Sequence, residues 1–224
     1  MPDRKSRRFS STIDVVLLTA VGGQLAVLLW RSPEGREKWM LPWDAPRPAE
    51  SMEASAARIA RSVAVGDPAW IEQVGAFGDG KRHPSDAELS VAYVGLVPMG
   101  TPSPVGGAYA WFPIADVPQL APRQRQMLDS AITMIRGRMD QSPVAFRLLP
   151  QMFTLTELQQ MYELLLTKRL HKASFRRALQ GAWLVEPTDE WRSEGRGRPA
   201  QLYRYAPRKR RPAQRGIRLD LLSS

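Results

Sequence analysis

The residues whose type and spacing bear most directly on chemistry are Glu50 and Arg58, in the stretch ESMEASAARIARSVAVG at positions 50–66. A helix that hydrolyses a pyrophosphate holds divalent cations with clustered carboxylates, because such cations prefer hard oxygen ligands. Arg58 stands where an arginine would anchor such a helix. The five positions after it carry no carboxylate; they are Ile59, Ala60, Arg61, Ser62 and Val63. The stretch therefore predicts the outline of a hydrolytic helix with no catalytic and no metal-binding residue.

The elements that must position these residues read as a mixed α/β domain. β-rich residues at 13–18 and 24–30 predict two strands, joined by a hairpin at Val21-Gly22-Gly23. An alanine-rich run at 52–63 predicts a helix with Ser51 as its N-cap. Further strands at 71–77, 89–97 and 109–114, and a helix at 122–138, complete the predicted domain.

The pattern changes after Ser142-Pro143, where we predict a domain boundary. A helix is predicted at 153–166, capped by Thr154 or Thr156, with Thr154 and Glu157 spaced as a capping box. A second helix at 172–180 is predicted to stop at Gly181. Strands at 183–185 and 200–205, separated by a polar loop at 186–197, then follow. Helix, turn, helix and a strand pair is the order of a winged helix-turn-helix.

Charge is distributed unevenly along the 224 residues, whose net charge is +10. Positions 1–142 hold 16 Lys/Arg and 15 Asp/Glu, whereas 143–224 hold 16 and 7. This asymmetry favours a nearly neutral domain joined to one that meets a polyanion, although a merely solvated basic surface is the plainer alternative. The basic half lacks a long amphipathic helix with a basic polar face, so we predict no membrane partner. The absence of cysteine fits a reducing compartment, and we predict a cytoplasmic protein.

Within the basic half, the second helix has the residue types that DNA readout requires. Phe175 and Leu179 can face a small core, which leaves the arginines outward. Arginine can bind guanine with two hydrogen bonds, while lysine and serine hold phosphates. The loop EGRGRP at 194–199 suits a wing, because glycine permits close approach of the backbone to DNA. The predicted DNA-contacting residues are Thr154, Thr156, Lys172, Ser174, Arg176, Arg177, Arg196 and Arg198.

Several motifs resemble one family. The run FRLLP, FTLTELQ, FRR and GRPAQLYRY, in that order, is similar to the C-terminal domain of the Nudix-related transcriptional regulators of the NrtR type. The stretch IEQVGAFGDGKRHP, followed by LSVAYVGLVP, resembles the middle of their Nudix-like domain. The resemblance spans 13–205. It implies a bacterial regulator that binds a palindromic operator as a homodimer and commonly represses NAD-biosynthesis genes, with relatives that control sugar catabolism. It also implies a sensor domain for a small molecule, in several members ADP-ribose or a related nucleotide.

The chain departs from the family pattern in both halves. Trp43-Asp44 replaces the expected Gly-Gly, Ala49 replaces the glycine before Glu50, and Ser62-Val63 replaces the two-glutamate metal cluster. These changes predict loss of hydrolysis and a reshaped pocket. At 171–174 the chain reads HKAS where relatives often read DKRN, which predicts a poorer N-cap and an altered operator sequence.

The predicted ligand-binding residues are Trp39, Phe77, Lys81 and Arg82. An aromatic side chain could stack on an adenine while Lys81 and Arg82 meet phosphates. The plainer alternative is a surface turn at FGDGKRHP with Phe77 buried at its base, and a buried Trp39. His83 is predicted to be an ordinary turn residue.

We therefore predict an α/β Nudix-like N-terminal domain plus a C-terminal winged helix-turn-helix domain. The predicted parts are a basic tail at 1–11, an effector-sensing and dimerisation domain at 12–142, a DNA-binding domain at 143–207, and a basic tail at 208–224. The predicted function is a ligand-responsive regulator without a cofactor, and the resemblance implies a repressor. The alternatives are a Nudix hydrolase of nucleoside diphosphate derivatives with an accessory basic domain, and a constitutive DNA-binding protein whose first domain only dimerises.

Overall fold

A computed structural model of the chain describes residues 10–31, 38–63, 67–102, 107–193 and 199–206. The predicted wing arginines Arg196 and Arg198, and the C-terminal basic tail, lie outside the described residues, as does nearly all of the N-terminal tail. The chain divides into two compact units that interleave in sequence. The first draws on Met1–Leu18, Val27–Gly95 and Pro102–Ala131; the second draws on Thr19–Ala26, Leu96–Thr101 and Ile132–Ser224. The domain boundaries predicted at single points in the sequence stay predictions.

A seven-stranded sheet dominates the N-terminal half. Its strands are β1 (Ser11–Val21), β2 (Gln24–Arg31), β3 (Trp39–Met40), β4 (Trp43–Asp44), β5 (Trp70–Phe77), β6 (Leu89–Leu96) and β7 (Tyr109–Pro113). The main path runs β3-β2-β1-β6-β5, with β4 paired to β1 and β7 paired to β2. Valine and leucine fill β1 and β6, which are buried along almost their whole length because they lie in the middle of the sheet.

Local sequence explains the turn and the helices of this half. Gly22 and Gly23 join β1 to β2 with φ angles of 57° and 75°, which a tight hairpin requires at both central positions. Helix α1 spans Met52–Val63 and helix α2 spans Pro122–Arg138, as predicted. Ser51 Oγ accepts a hydrogen bond from the Ala54 backbone N–H at 3.1 Å, so the predicted N-cap is confirmed.

The C-terminal half has the order of a winged helix, which confirms that prediction. A short 3-10 helix (Val144–Leu148) precedes β8 (Met152–Phe153), α3 (Leu155–Leu166), α4 (Lys172–Ala182), β9 (Val185–Arg192) and β10 (Ala200–Tyr205). The three strands pair in the order β8-β10-β9. The core is aromatic: Tyr162 of α3 lies 5.4 Å from Phe175 of α4 between ring centroids, and Phe146 lies 5.8 Å from Phe153.

Three predictions about this half were wrong. The predicted polar loop at 186–197 is strand as far as Arg192, because this partly exposed ribbon pairs with β10 from Val185 to Arg192, with one irregularity in register. Gly181 lies inside α4, and the helix ends instead at Trp183, which is the C-cap with a φ of 54°. Trp183 is therefore not the start of a strand. Within the described residues, no helix has the length and apolar character needed to cross a membrane.

Candidate functional sites

Arg58 joins two carboxylates at the start of α1. Its Nε donates to Glu50 Oε1 at 3.0 Å, and its Nη1 lies 2.6 Å from Asp44 Oδ2 on β4. The hydrogen bond from Arg58, with a further one from Ser55 Oγ, lowers the pKa of Glu50 below its ordinary value. The hydrogen bond to Glu50 raises the pKa of Arg58 in turn. The arrangement anchors the beginning of α1 to β4, and the Arg58 guanidinium offsets part of the negative charge of the two carboxylates.

Three of the five positions that follow Arg58 on α1 (Ile59, Ala60 and Val63) are buried, whereas Arg61 and Ser62 are exposed. Ser62 Oγ donates to the Ile59 carbonyl at 2.7 Å. Among the residues that the structure describes, no group of three or more His, Cys, Asp or Glu is placed to hold a metal ion. This face of α1 contributes apolar contacts to the first unit rather than oxygen ligands.

The predicted ligand-binding cations lie on the exposed loop after β5. Lys81 Nζ lies 3.1 Å from Asp79 Oδ2 and donates to Gln126 Oε1 of α2 at 2.9 Å. The hydrogen bond from Lys81 lowers the pKa of Asp79. Arg82 is exposed, and its backbone carbonyl accepts from the Arg123 N–H of α2 at 3.2 Å. Two cationic side chains thus project from a loop whose backbone is tied to α2.

The two predicted aromatic ligand residues lie on different edges of the sheet. Trp39 on β3 is half-buried, packs edge-on against Phe112 at 4.8 Å, and carries the Arg31 guanidinium 5.3 Å from its ring centroid. Phe77 ends β5 at the opposite end of the path. Four strand steps separate them, on the order of 19 Å along the sheet. Phe77 therefore lies at the start of the loop that carries Lys81 and Arg82. Trp39 lies on the other edge of the sheet, away from these three residues.

His83 is part of a buried polar cluster rather than an ordinary turn residue, so that prediction was wrong. Its Nε2 lies 2.9 Å from Asp14 Oδ1, and Gln124 Nε2 donates to the same oxygen at 2.9 Å. Asp14 is 0% exposed and His83 1%. The Ser85 backbone N–H donates to His83 Nδ1 at 3.1 Å, so Nδ1 is an acceptor and the proton lies on Nε2, facing Asp14.

This Asp14 cluster fixes the loop that carries Lys81 and Arg82. It joins β1, the loop and α2 through one carboxylate, whose Oδ2 also accepts from Thr12 Oγ1 at 2.9 Å. Arg123 Nη1 adds a bond to the Ala87 carbonyl at 2.6 Å. A sequence signal for it existed: a lone aspartate inside a buried strand must find hydrogen-bond donors. The sequence does not say which distant residues supply them.

The predicted DNA-reading helix α4 presents the expected face. Phe175 and Leu179 are buried, whereas Lys172, Arg176 and Arg177 are exposed. Ser174 is half-buried, with its Oγ 3.2 Å from His171 Nδ1. His171 is the N-cap and its side chain makes no capping hydrogen bond, as predicted from its residue type.

Thr154 and Thr156 differ in accessibility. Thr154 is 7% exposed, and its hydroxyl accepts from the Glu157 N–H at 3.1 Å, which confirms the predicted capping box. Thr156, in the first turn of α3, is exposed. Of these two predicted DNA contacts, only Thr156 presents its side chain at the surface.

Comparison with known proteins gives consistent matches for both halves. Residues 145–205 match the model of the NrtR DNA-binding winged helix domain. The ADPR responsive transcriptional repressor NtrR of Acinetobacter baylyi is 29% identical over 212 residues, which cover 87% of this chain and 81% of the relative.

Two solved structures extend these matches. Shewanella oneidensis NrtR complexed with a 27mer DNA is 31% identical, with a TM-score of 0.79 over 92% of this chain and 97% of that chain. The NUDIX domain of the same Shewanella protein, complexed with ADP ribose, is 26% identical, with a TM-score of 0.51 over 59% of this chain and 93% of that chain. The first match extends over nearly the full length of both chains.

Proposed function

The chain belongs to the NrtR family of Nudix-related transcriptional regulators, and on that premise we propose that it is a DNA-binding repressor whose Nudix-like part senses ADP-ribose. The observation that carries the proposal is the exposed basic face of α4, with Lys172, Arg176 and Arg177 outward over a buried Phe175 and Leu179. Arginine and lysine on a short helix of this kind suit base and phosphate contacts in a major groove.

The proposed effector site includes the loop after β5. Lys81 and Arg82 are exposed there and can meet the phosphates of a nucleotide, with Phe77 at the end of the preceding strand. The solved NUDIX domain bound to ADP ribose supports this ligand class. Trp39 belongs to the same proposal only as a separate contact, because it lies on the other edge of the sheet.

We propose that the protein binds without hydrolysing. After Arg58, helix α1 carries Ile59, Ser62 and Val63 where a hydrolytic helix needs carboxylates. Its curated relative is named a repressor, which agrees with a regulatory role. A homodimer on a palindromic operator, control of NAD-metabolism genes and a cytoplasmic location complete the proposal. Binding of the effector would change the spacing of the two recognition helices and so weaken operator binding.

The experiment begins with the full chain and random-sequence duplexes, from which repeated selection yields an operator. Operator affinity is then measured by fluorescence anisotropy. We expect Arg176→Ala and Arg177→Ala each to weaken binding by about 1–3 kcal/mol if the arginine contacts a base. Gln180→Ala, an exposed change on the same helix, is the control. Unchanged affinity in both arginine variants would remove α4 as the recognition helix.

Titration with ADP-ribose tests the sensor. We expect ADP-ribose to dissociate the protein from the operator. We also expect the ADP-ribose itself not to be hydrolysed when Mg²⁺ is present. Release of AMP from ADP-ribose, dependent on Mg²⁺, would establish the hydrolase instead. Operator binding that no nucleotide alters would favour a constitutive DNA-binding protein.

A further inference from the structure

Arg192 lies at the loop end of the β9–β10 hairpin. It is the last residue of β9 and lies opposite Ala200, the first residue of β10. The chain between these two partners includes the predicted wing arginines. A contact that fixes Arg192 therefore fixes the end of β9.

The Arg192 guanidinium contacts both α3 and β8. Nη1 lies 2.7 Å from Glu157 Oε1 of α3, and Nη2 donates to the Met152 carbonyl of β8 at 3.3 Å. The two charged side chains are 35% and 17% exposed, so solvent screens this pair less than a pair at the open surface. The planar guanidinium spans a helix and a strand at once, which restricts its orientation.

The same carboxylate also caps α3. Glu157 Oε2 accepts from the Thr154 backbone N–H at 2.6 Å, while Thr154 Oγ1 accepts from the Glu157 N–H at 3.1 Å. The capping box therefore fixes the Glu157 side chain independently of its contact with Arg192. The Glu157 side chain thus both caps α3 and binds the last residue of β9.

A second ion pair of the same ribbon provides a contrast. Arg204 Nη2 of β10 lies 3.3 Å from Glu186 Oε2 of β9, and these side chains are 64% and 45% exposed. This pair lies within the ribbon, and exposed pairs of this kind contribute little. It does not connect the ribbon to α3.

We propose that the Glu157–Arg192 pair is a positioning device for DNA binding, which holds the β9–β10 strand pair against the start of α3. Arg192 acts through Glu157 and is not itself a DNA contact. The inference rests on the proposed function, since it concerns how the same winged helix meets its operator.

The test compares Glu157→Gln, Arg192→Gln and the double variant in the full chain, with Arg204→Gln as the control. Glutamine can replace glutamate in a capping box, so Glu157→Gln removes the ion pair and keeps the cap. This variant also makes the protein more positive by one charge. Simple electrostatic attraction therefore predicts tighter DNA binding, whereas loss of positioning predicts weaker operator binding.

We expect Glu157→Gln and Arg192→Gln each to weaken operator binding by about three- to tenfold, and the double variant to lose clearly less than the sum of the two losses, because both variants remove the Glu157–Arg192 ion pair. Binding to random-sequence DNA should not weaken in Glu157→Gln, and Arg204→Gln should match the wild type. In hydroxyl-radical footprints, the DNA positions that α4 contacts should stay protected, whereas positions outside the α4 contacts should lose protection.

Three results would overturn the inference. They are equal or tighter operator binding by Glu157→Gln, additive losses in the double variant, and a fall of about one in the salt slope for Arg192→Gln, which marks a direct phosphate contact. Arg192→Lys is measured alongside: it keeps the charge and loses the two-pronged bond, so wild-type behaviour would also count against positioning. If wild-type protein selects no operator, the proposed function fails instead.

Discussion

Replacing Asp14 gives the sharpest test of the buried cluster in the first unit. In Asp14→Ala the acceptor of His83 Nε2 and Gln124 Nε2 disappears, and both donors remain in a site that is closed to solvent. Asp14→Asn is the matched control. Its Oδ1 can still accept from both donors, and its amide can donate to Thr12 Oγ1, which then donates to Ser90 Oγ.

The magnitude follows from counting the groups left without a partner. Thr12 can turn its hydroxyl to Ser90, and Gln124 keeps one bond to the Leu41 carbonyl at 3.2 Å. One N–H of His83 and one of Gln124 are then orphaned, at about 1–3 kcal/mol each. Removing a buried carboxylate recovers part of this loss, so we expect a destabilisation of about 3 kcal/mol for Asp14→Ala. For a chain of this size, that lowers the melting temperature by roughly 6–12 °C.

Urea unfolding followed by tryptophan fluorescence is the appropriate assay. Trp30, Trp39, Trp43, Trp70 and Trp111, five of the seven tryptophans, lie in the first unit. We expect the urea midpoint of Asp14→Ala to fall well below that of Asp14→Asn. Free energies of unfolding that agree between the two variants to within about 0.5 kcal/mol, with unchanged slopes, would refute the reasoning that this carboxylate satisfies the cluster.

Three further predictions concern the cap, the anchor of α1 and the tail. Thr154→Ala should cost about 1 kcal/mol in urea unfolding, because it removes one half of the capping box, whereas Thr154→Ser should cost little; equal losses would contradict this. The stability difference between wild type and Glu50→Gln should be present at neutral pH and disappear in acid, as the pH falls through the lowered folded-state pKa of Glu50 and the carboxylate is protonated. A difference that persists in acid would exclude the carboxylate as its source. Truncation after Pro207 should weaken binding to all DNA sequences and flatten the salt dependence; an unchanged slope would show that the RKRR segment contacts no phosphate.

Local patterns in the sequence predicted much of the fold. The alanine-rich run gave α1 at its observed bounds, and Thr154 with Glu157 gave the capping box, because caps and helical periodicity depend on near neighbours. The strand at Val185–Arg192 escaped prediction because Glu186, Asp189 and Glu190 give it no alternation of apolar and polar residues. The strand forms because its backbone hydrogen-bonds to β10, which its own residue pattern does not indicate.

The candidate sites divide in the same way. The outward face of α4 followed from its own periodicity. His83 could not be placed from sequence, since its partners Asp14 and Gln124 lie 69 and 41 residues away along the chain. Only the tertiary structure brings a turn histidine against a strand carboxylate. The separation of Trp39 from Phe77 likewise depends on strand order, which residue types do not determine.

The bond between Gln124 and Asp14 spans 110 positions, and this span has a consequence for the order of events during synthesis. A ribosome releases β1 and β6 before α2, so the strand that carries the central carboxylate emerges before one of the donors that this carboxylate requires. Domains generally fold as units, and N-terminal domains fold first as the chain emerges. Here the first unit cannot complete its core until Ala131 has left the ribosome. Its cooperative closure is delayed to the second half of translation, when the residues of the winged helix are being added.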